Sequence, residues 1–189
     1  MAKAFEIAGA EIPPGARRTV ELQLPLLYTH TPVVMSVKVI RGRRDGPCLF
    51  LSAAVHGDEI NGVEIIRRVI RSAAMRHLRG TLLAVPVVNV YGFVRKSRYL
   101  PDRRDLNRSF PGSDSGSLTG RLANLLLREV VHRADYGIDL HTGAVHRENL
   151  PQLRAALDQE QVQAMAHSFE LPVIVNADMI EGSLRAAAH

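Results

Sequence analysis

Residues 47–62 read P-C-L-F-L-S-A-A-V-H-G-D-E-I-N-G. The nearly continuous apolar run Pro47–Val55 suits a strand covered on both faces, as in the middle of an α/β sheet. It ends in His56-Gly57-Asp58-Glu59, after which Ile60, Val63, Ile66, Ile70 and Ala74 recur at helical spacing. The stretch therefore predicts a strand, a turn and a helix over 59–78, with Gly80 as the helix stop. Across such a turn, residues three apart project to one side, so His56 and Glu59 could grip one cation. Gly57 lets the backbone turn tightly, and Asp58 fits a helix start favoured by the helix dipole.

Outward from this stretch the pattern is that of an α/β sheet. Thr19–Leu24 and Val33–Ile40 alternate apolar with polar residues and read as neighbouring antiparallel strands, with Gly42–Gly46 as a turn. Thr81–Val88 is a further strand whose Pro86 points to an irregular edge. Residues 89–117 form a loop rich in Arg, Asp, Ser, Gly and Pro, and a loop that long implies a functional reason. Leu118–His132 reads as a helix and Tyr136–Leu140 as a core strand ending at His141. Asp158 with Gln161 resembles a capping box before a helix to Phe169. Pro172–Val175 reads as a buried strand, and Ser183 starts another helical segment. This rhythm predicts a mixed, largely parallel sheet with helices on both faces, preceded by antiparallel strands. Ligands of such sheets bind beyond the carboxyl ends of the strands.

Composition narrows the function classes. With 46% apolar and 23% charged residues the chain is globular, and no apolar run approaches the ~18–20 residues of a membrane span. The opening M-A-K-A-F-E-I lacks a secretory pattern, and a lone Cys48 in an apolar strand agrees with a reducing compartment, so a cytoplasmic protein is expected. Net charge is +5, carried almost wholly by arginine. Aromatics are sparse at 5% and the arginines are scattered, which favours small anions over nucleic acid as partners. Nothing in the composition decides whether the chain forms a homo-oligomer.

Two further features follow predicted strands or join them. Asp139-Leu140-His141-Thr142-Gly143 comes directly after the strand at 136–140. With His56 and Glu59, His141 completes a His₂Glu set that suits zinc and leaves a fourth position open. Asp139 either orients His141 or accepts from nearby backbone groups. The other feature is R98-Y-L-P-D-R-R-D-L-N-R-S-F-P-G112, dense in guanidinium groups suited to carboxylates and to developing oxyanions. Arg103 and Arg104 read as a solvated patch with Asp102 and Asp105. The remaining histidines, His30, His77, His132, His146, His167 and His189, have no partner spacing and read as structural or solvated.

The order H-G-D-E, D-L-N-R-S-F-P-G and D-L-H-T-G resembles the succinylglutamate desuccinylase/aspartoacylase family, relatives of the zinc carboxypeptidases, over roughly residues 47–189. The resemblance implies a three-layer α/β/α sandwich of the zinc carboxypeptidase kind, with residues 1–46 as a β-rich lead-in to a single catalytic domain. It implies one zinc per chain held by His56, Glu59 and His141, and Arg98 beside the scissile carbonyl. Asn107, Arg108 and Arg185 match the family's residues for a carboxylate-bearing substrate. The implied activity is zinc-dependent hydrolysis of the amide of an N-acyl amino acid or a similar small amide. The family's general-base glutamate and its C-terminal β domain are expected beyond residue 189, so impaired activity is expected of these 189 residues. A zinc carboxypeptidase and a non-catalytic anion-binding domain are the alternative functions.

Overall fold

Two short strands, β1 (Phe5–Ile7) and β2 (Ala10–Ile12), form an antiparallel hairpin in the computed structural model, which describes residues 3–27, 29–143 and 147–189. Ile7 and Ile12 are fully buried, which ties this lead-in to the main core. β3 (Arg17–Gln23) and β4 (Val34–Arg41) then pair antiparallel, as their alternation predicts. Val20, Leu22, Met35, Val37 and Val39 share the buried face.

β5 (Arg44–Ala53) leads to helix α1 (Asn61–Arg71), strand β6 (Arg79–Val85), helix α2 (Val90–Arg95), helix α3 (Leu118–Glu129) and strand β7 (Tyr136–Leu140). The main sheet has the order β3-β4-β6-β5-β7. β4 pairs antiparallel with β6, whereas β5 pairs parallel with both β6 and β7. Parallel pairing thus occupies the β6-β5-β7 side, half of the sheet's pairings among the described residues rather than most of them. β5 is apolar on both faces because both are covered. Cys48 and Phe50 share a core with Leu122 and Leu126 of α3, while Leu51 and Ala53 share the opposite core with Ile66 of α1. The expected three layers are present, with α1 and α3 on opposite faces.

Several local expectations are corrected. β5 starts at Arg44 through an irregular register between Arg44 and Cys48, which shortens the expected turn at 42–46. α1 stops at Arg71 because Ser72 is extended, and only a 3-10 turn, Ala73–Arg76, continues the helical spacing. Gly80 is therefore a residue of β6, not a helix stop. Pro86 lies just past β6, a central strand, and marks no edge. The loop at 89–117 contains α2, whose first turn is capped by the Asn89 side chain accepting from Gly92 N at 2.8 Å.

Beyond β7 come β8 (Leu153–Ala155), α4 (Glu160–His167), β9 (Ile174–Asn176) and α5 (Leu184–Ala188). The capping box of Asp158 and Gln161 does not form, since α4 starts after Gln159 with no side-chain cap. β9 is half-exposed and pairs only with β8 in a separate two-stranded sheet, so Pro172–Val175 is no core strand. Among the described residues no helix is long and apolar enough to cross a membrane. A groove of about 420 Å³ beside α1, lined by Leu49, Ile65, Val69, Ile138 and Phe169, holds none of the candidate site residues.

The buried faces make a direct prediction. Leu126 of α3 is fully enclosed, so Leu126→Ala is expected to lower stability by about 2–5 kcal/mol in urea denaturation. Val94 of α2 is 78% exposed, and Val94→Ala should stay within about 0.5 kcal/mol of the parent.

Candidate metal centre and arginine loop

Parallel pairing places the two motif histidines side by side. Ala53 of β5 sits opposite Leu140 of β7, so His56 and His141 leave adjacent strands at nearly one level. The exit from β5 runs through Ala54, a non-glycine residue at φ 51. Gly57 is required for a different reason from turning. A Cβ there would stand 2.0 Å from the Gly92 carbonyl carbon, so only glycine lets α2 approach the turn.

Glu59 is the centre of the cluster. It is 3% exposed and His56 is 4% exposed. His56 Nδ1 lies 2.6 Å from Glu59 Oε1, and His141 Nδ1 lies 2.8 Å from Oε2. Thr142 N donates to Oε2 at 3.0 Å, and the ring centroids of the two histidines are 5.0 Å apart. The ligand atoms of the three residues lie within 4.8 Å of one another. Each ring turns its other nitrogen to a second carboxylate: His56 Nε2 to Asp105 Oδ1 at 3.2 Å, His141 Nε2 to Asp139 Oδ2 at 2.7 Å. Asp139 thus orients His141 and is itself held by Ser52 Oγ at 2.7 Å. Two imidazoles with fixed rings and one buried carboxylate have the donor chemistry of a zinc site.

Charge follows from these contacts. Burial would raise the Glu59 carboxyl, but hydrogen bonds from His141 and His56 hold it down at about 2. Burial opposes charge on His141, yet Asp139 and then Glu59 lift it to about 10. His56 is raised against its own desolvation by Asp105 and Glu59. A raised histidine stabilises the fold fully below its ordinary 6.5 and loses that contribution as pH climbs towards 10. A depressed glutamate contributes above 4.5 and loses this as pH falls towards 2. Chelator-treated protein should therefore have its highest melting temperature between about pH 4.5 and 6.5. Asp139→Asn should remove most of the decline on the alkaline side of a melting-temperature profile.

The loop supplies the cationic wall. Arg98 donates to Asp105 Oδ2 through Nε at 3.1 Å and Nη2 at 2.9 Å, and its Nη1 reaches Glu59 Oε1 at 3.5 Å. Asp105 is therefore no member of a solvated patch. It caps the 3-10 turn Leu106–Arg108 by accepting from Asn107 N at 2.8 Å and joins His56 to Arg98. Asp102 also leaves the patch, accepting from Thr119 N at 2.9 Å in the first turn of α3. Arg103 and Arg104 are exposed, as expected. Asp58 does not start α1, which begins after Ile60 without a side-chain cap, and Asp58 Oδ1 is buried without a partner among the described residues.

The other expected residues lie further out. Asn107 Oδ1 accepts from Leu184 N at 2.8 Å, Arg108 is exposed with Nη1 on the Asn107 carbonyl, and Arg185 Nη2 donates to the Asp178 carbonyl at 2.5 Å. His30, His77, His132, His167 and His189 are exposed, and His146 lies outside the described residues.

The family model described as the succinylglutamate desuccinylase/aspartoacylase catalytic domain matches residues 45–189. The N-alpha-acetyl-L-2,4-diaminobutyric acid deacetylase of Halomonas elongata is 32% identical over 120 residues, 63% of this chain and 35% of its own length. The product-bound ectoine utilization protein EutE (DoeB) from Ruegeria pomeroyi has a TM-score of 0.81 at 27% identity, over 100% of this chain and 60% of that one. A succinylglutamate desuccinylase/aspartoacylase from Rhodobacter sphaeroides gives 0.79 at 26% identity, over 90% and 53%. The chain thus spans 35% of the deacetylase and 53% to 60% of these solved chains. The matched span begins in β5 and takes in the histidine–glutamate turn, the arginine loop and the segment after β7, and with it the chain belongs to the succinylglutamate desuccinylase/aspartoacylase family.

Proposed function

We propose that the chain is the metal-holding part of a zinc-dependent hydrolase that cleaves the amide of an N-acyl amino acid or a similar small carboxylate-bearing amide. The observation that carries this reading is the convergence of His56 Nδ1, His141 Nδ1 and the Glu59 carboxylate, with Arg98 touching the same carboxylate. The deacetylase relative supports an acyl group as the part released. Zinc, when bound, supplies a Lewis acid for the scissile carbonyl and lowers the pKa of water towards about 7.

The protein's own groups do the rest. Asp105 and Asp139 fix the two rings, so His56 and His141 present one nitrogen each without reorganising. Asp105 also holds the Arg98 guanidinium beside Glu59, where it can pair with an oxygen that gains negative charge. Arg108, Asn107 and Arg185 bind the substrate carboxylate in this proposal. Asp105 and Asp139 are both engaged, so neither is assigned as general base.

Metal analysis of the purified chain under zinc-replete conditions should find one zinc, lost in His56→Ala. Absence of stoichiometric zinc would sink the reading and favour an anion-binding domain. Asp105→Asn should weaken zinc binding about 10- to 100-fold. Zinc-loaded protein should release acetate from N-acetyl-L-2,4-diaminobutyrate faster than it trims peptides, and Arg98→Ala should slow that release about 100-fold or more. Faster peptide trimming would indicate a carboxypeptidase instead.

A further inference from the structure

A second concave site lies towards the sheet edge opposite β7. β3 and β4 pair so that Arg17 stands opposite Ile40 and Thr19 opposite Lys38, and these four residues share the face that carries α1. α1 packs on β5 and β6 and leaves the β3–β4 edge open. There a groove of about 210 Å³ runs between the two strands and Ile70 and Arg71 at the end of the helix.

Three cations converge on this groove. Arg17 Nη1 donates to the Ile70 carbonyl at 3.1 Å, which brings its guanidinium to the residue before Arg71. Lys38 Nζ donates to Thr19 Oγ1 at 2.7 Å. Both acceptors are neutral, and Arg17, Lys38 and Arg71 enter none of the ion pairs among the described residues. The acids of β3 and α1 are directed elsewhere. Glu64 is held by Arg67 and Arg68, and Glu21 stands opposite Ser36, outside the groove lining. A helix C-terminus ordinarily repels anions, but here Arg17 covers the Ile70 carbonyl and Arg68 and Arg71 occupy the last turn.

The surroundings carry the same sign. Arg44 and Arg79 are direct partners across β5 and β6, and Arg43 lies over Gly15, where a Cβ would stand 3.2 Å from its Cγ. Like charges gathered in this way repel one another, and an anion seated among them turns the repulsion into attraction.

We infer that the groove is a binding site for a small, multiply charged oxyanion of the phosphate class, separate from the metal centre. The planar forks of Arg17 and Arg71 each present two donors, Lys38 adds a point charge and Thr19 a hydroxyl. A small anion suits the site better than a nucleic acid, because the concavity is short and its lining holds no aromatic ring for a base to stack on. The inference stands apart from the hydrolase reading, since His56, Glu59 and His141 follow β5 and β7 and none of them lines the groove.

Titration of the purified chain with inorganic phosphate, followed by two-dimensional NMR at constant ionic strength, tests the site. The amides of Thr19, Lys38 and Arg71 should shift together and saturate with one dissociation constant. Lys38→Gln and Arg71→Gln should each raise that constant about tenfold or more, the loss of one charge-assisted contact. Arg18→Gln is the control: Arg18 alternates to the other face, with Nη1 on the Glu11 carbonyl at 3.5 Å, and its loss should change the constant by no more than about twofold. All three side chains are exposed or half-exposed, so the variants keep the fold, as unchanged amide positions elsewhere would verify. Shifts that never saturate, an equal loss in Arg18→Gln, or the same shifts with chloride would overturn the site and leave a diffuse basic surface. Shifts confined to Thr142 would place the phosphate at the metal centre and overturn it as well. Saturation of the same amides by a short DNA duplex but not by phosphate would make the surface a nucleic-acid contact instead. A chain that failed to hydrolyse N-acyl amino acids would still give a decisive titration.

Discussion

A carboxylate buried to 3% exposure must find a hydrogen bond for each oxygen or forfeit its charge, and Glu59 meets that demand with parts from three segments. His56 serves one oxygen, and His141 with the Thr142 amide serves the other. Arg98 closes the remaining side at 3.5 Å. This demand explains why parallel pairing of β5 and β7 matters to the chemistry. An antiparallel β7 would send the segment after Leu140 to the opposite end of the sheet, and Glu59 would be left buried with only His56 and the longer Arg98 contact. The same contacts preset the two imidazole nitrogens at the place where a cation would replace their protons.

From Glu59 the support spreads through carboxylates rather than through the apolar core. Asp105 ties His56, Arg98 and the turn at 106–108 into one unit. Asp139 ties His141 to Ser52 in the middle of β5. Each carboxylate is only partly buried and each has a cationic or potentially cationic partner, so charge is neutralised locally. Glycine plays a matching role where backbones must touch. Gly57 admits α2 to the turn, and Gly182 admits the segment before α5 to the arginine loop.

What the sequence made legible follows the range of the interactions involved. β7 matched at both ends because Tyr136–Leu140 lies between Asp135 and His141, a local property, but it is a half-exposed edge strand and not the core strand expected. The motif histidines and Glu59 were legible because their spacing relative to strand ends is local too. Asp105 was misjudged because its neighbours Arg103 and Arg104 look like its partners in sequence, whereas His56 and Arg98 are its partners in space. A signal was present: an Asp two residues before Asn107 is placed to accept that residue's N–H and so cannot be wholly solvated. The end of α1 was overextended since apolar spacing continues into a 3-10 turn that shares the same face. β8 and β9 were beyond reach, because three-residue strands carry too short a pattern to separate from loop.

The arginine loop shows why a net charge of +5 says less than its placement. Arg103 and Arg104 face solvent, whereas Arg98 of the same stretch is fixed by Asp105 and by the distant Glu59. Arg98 is rigid because Asp105 holds it by two of its nitrogens, so its charge is aimed before any ligand arrives. Arg108 and Arg185 contact backbone carbonyls only, so their charges are uncompensated by any nearby carboxylate in the ion pairs of the described residues. One arginine is thus held at the Glu59 carboxylate and two are left open. That division arises from the loop meeting Glu59 on one side and Gly182 on the other.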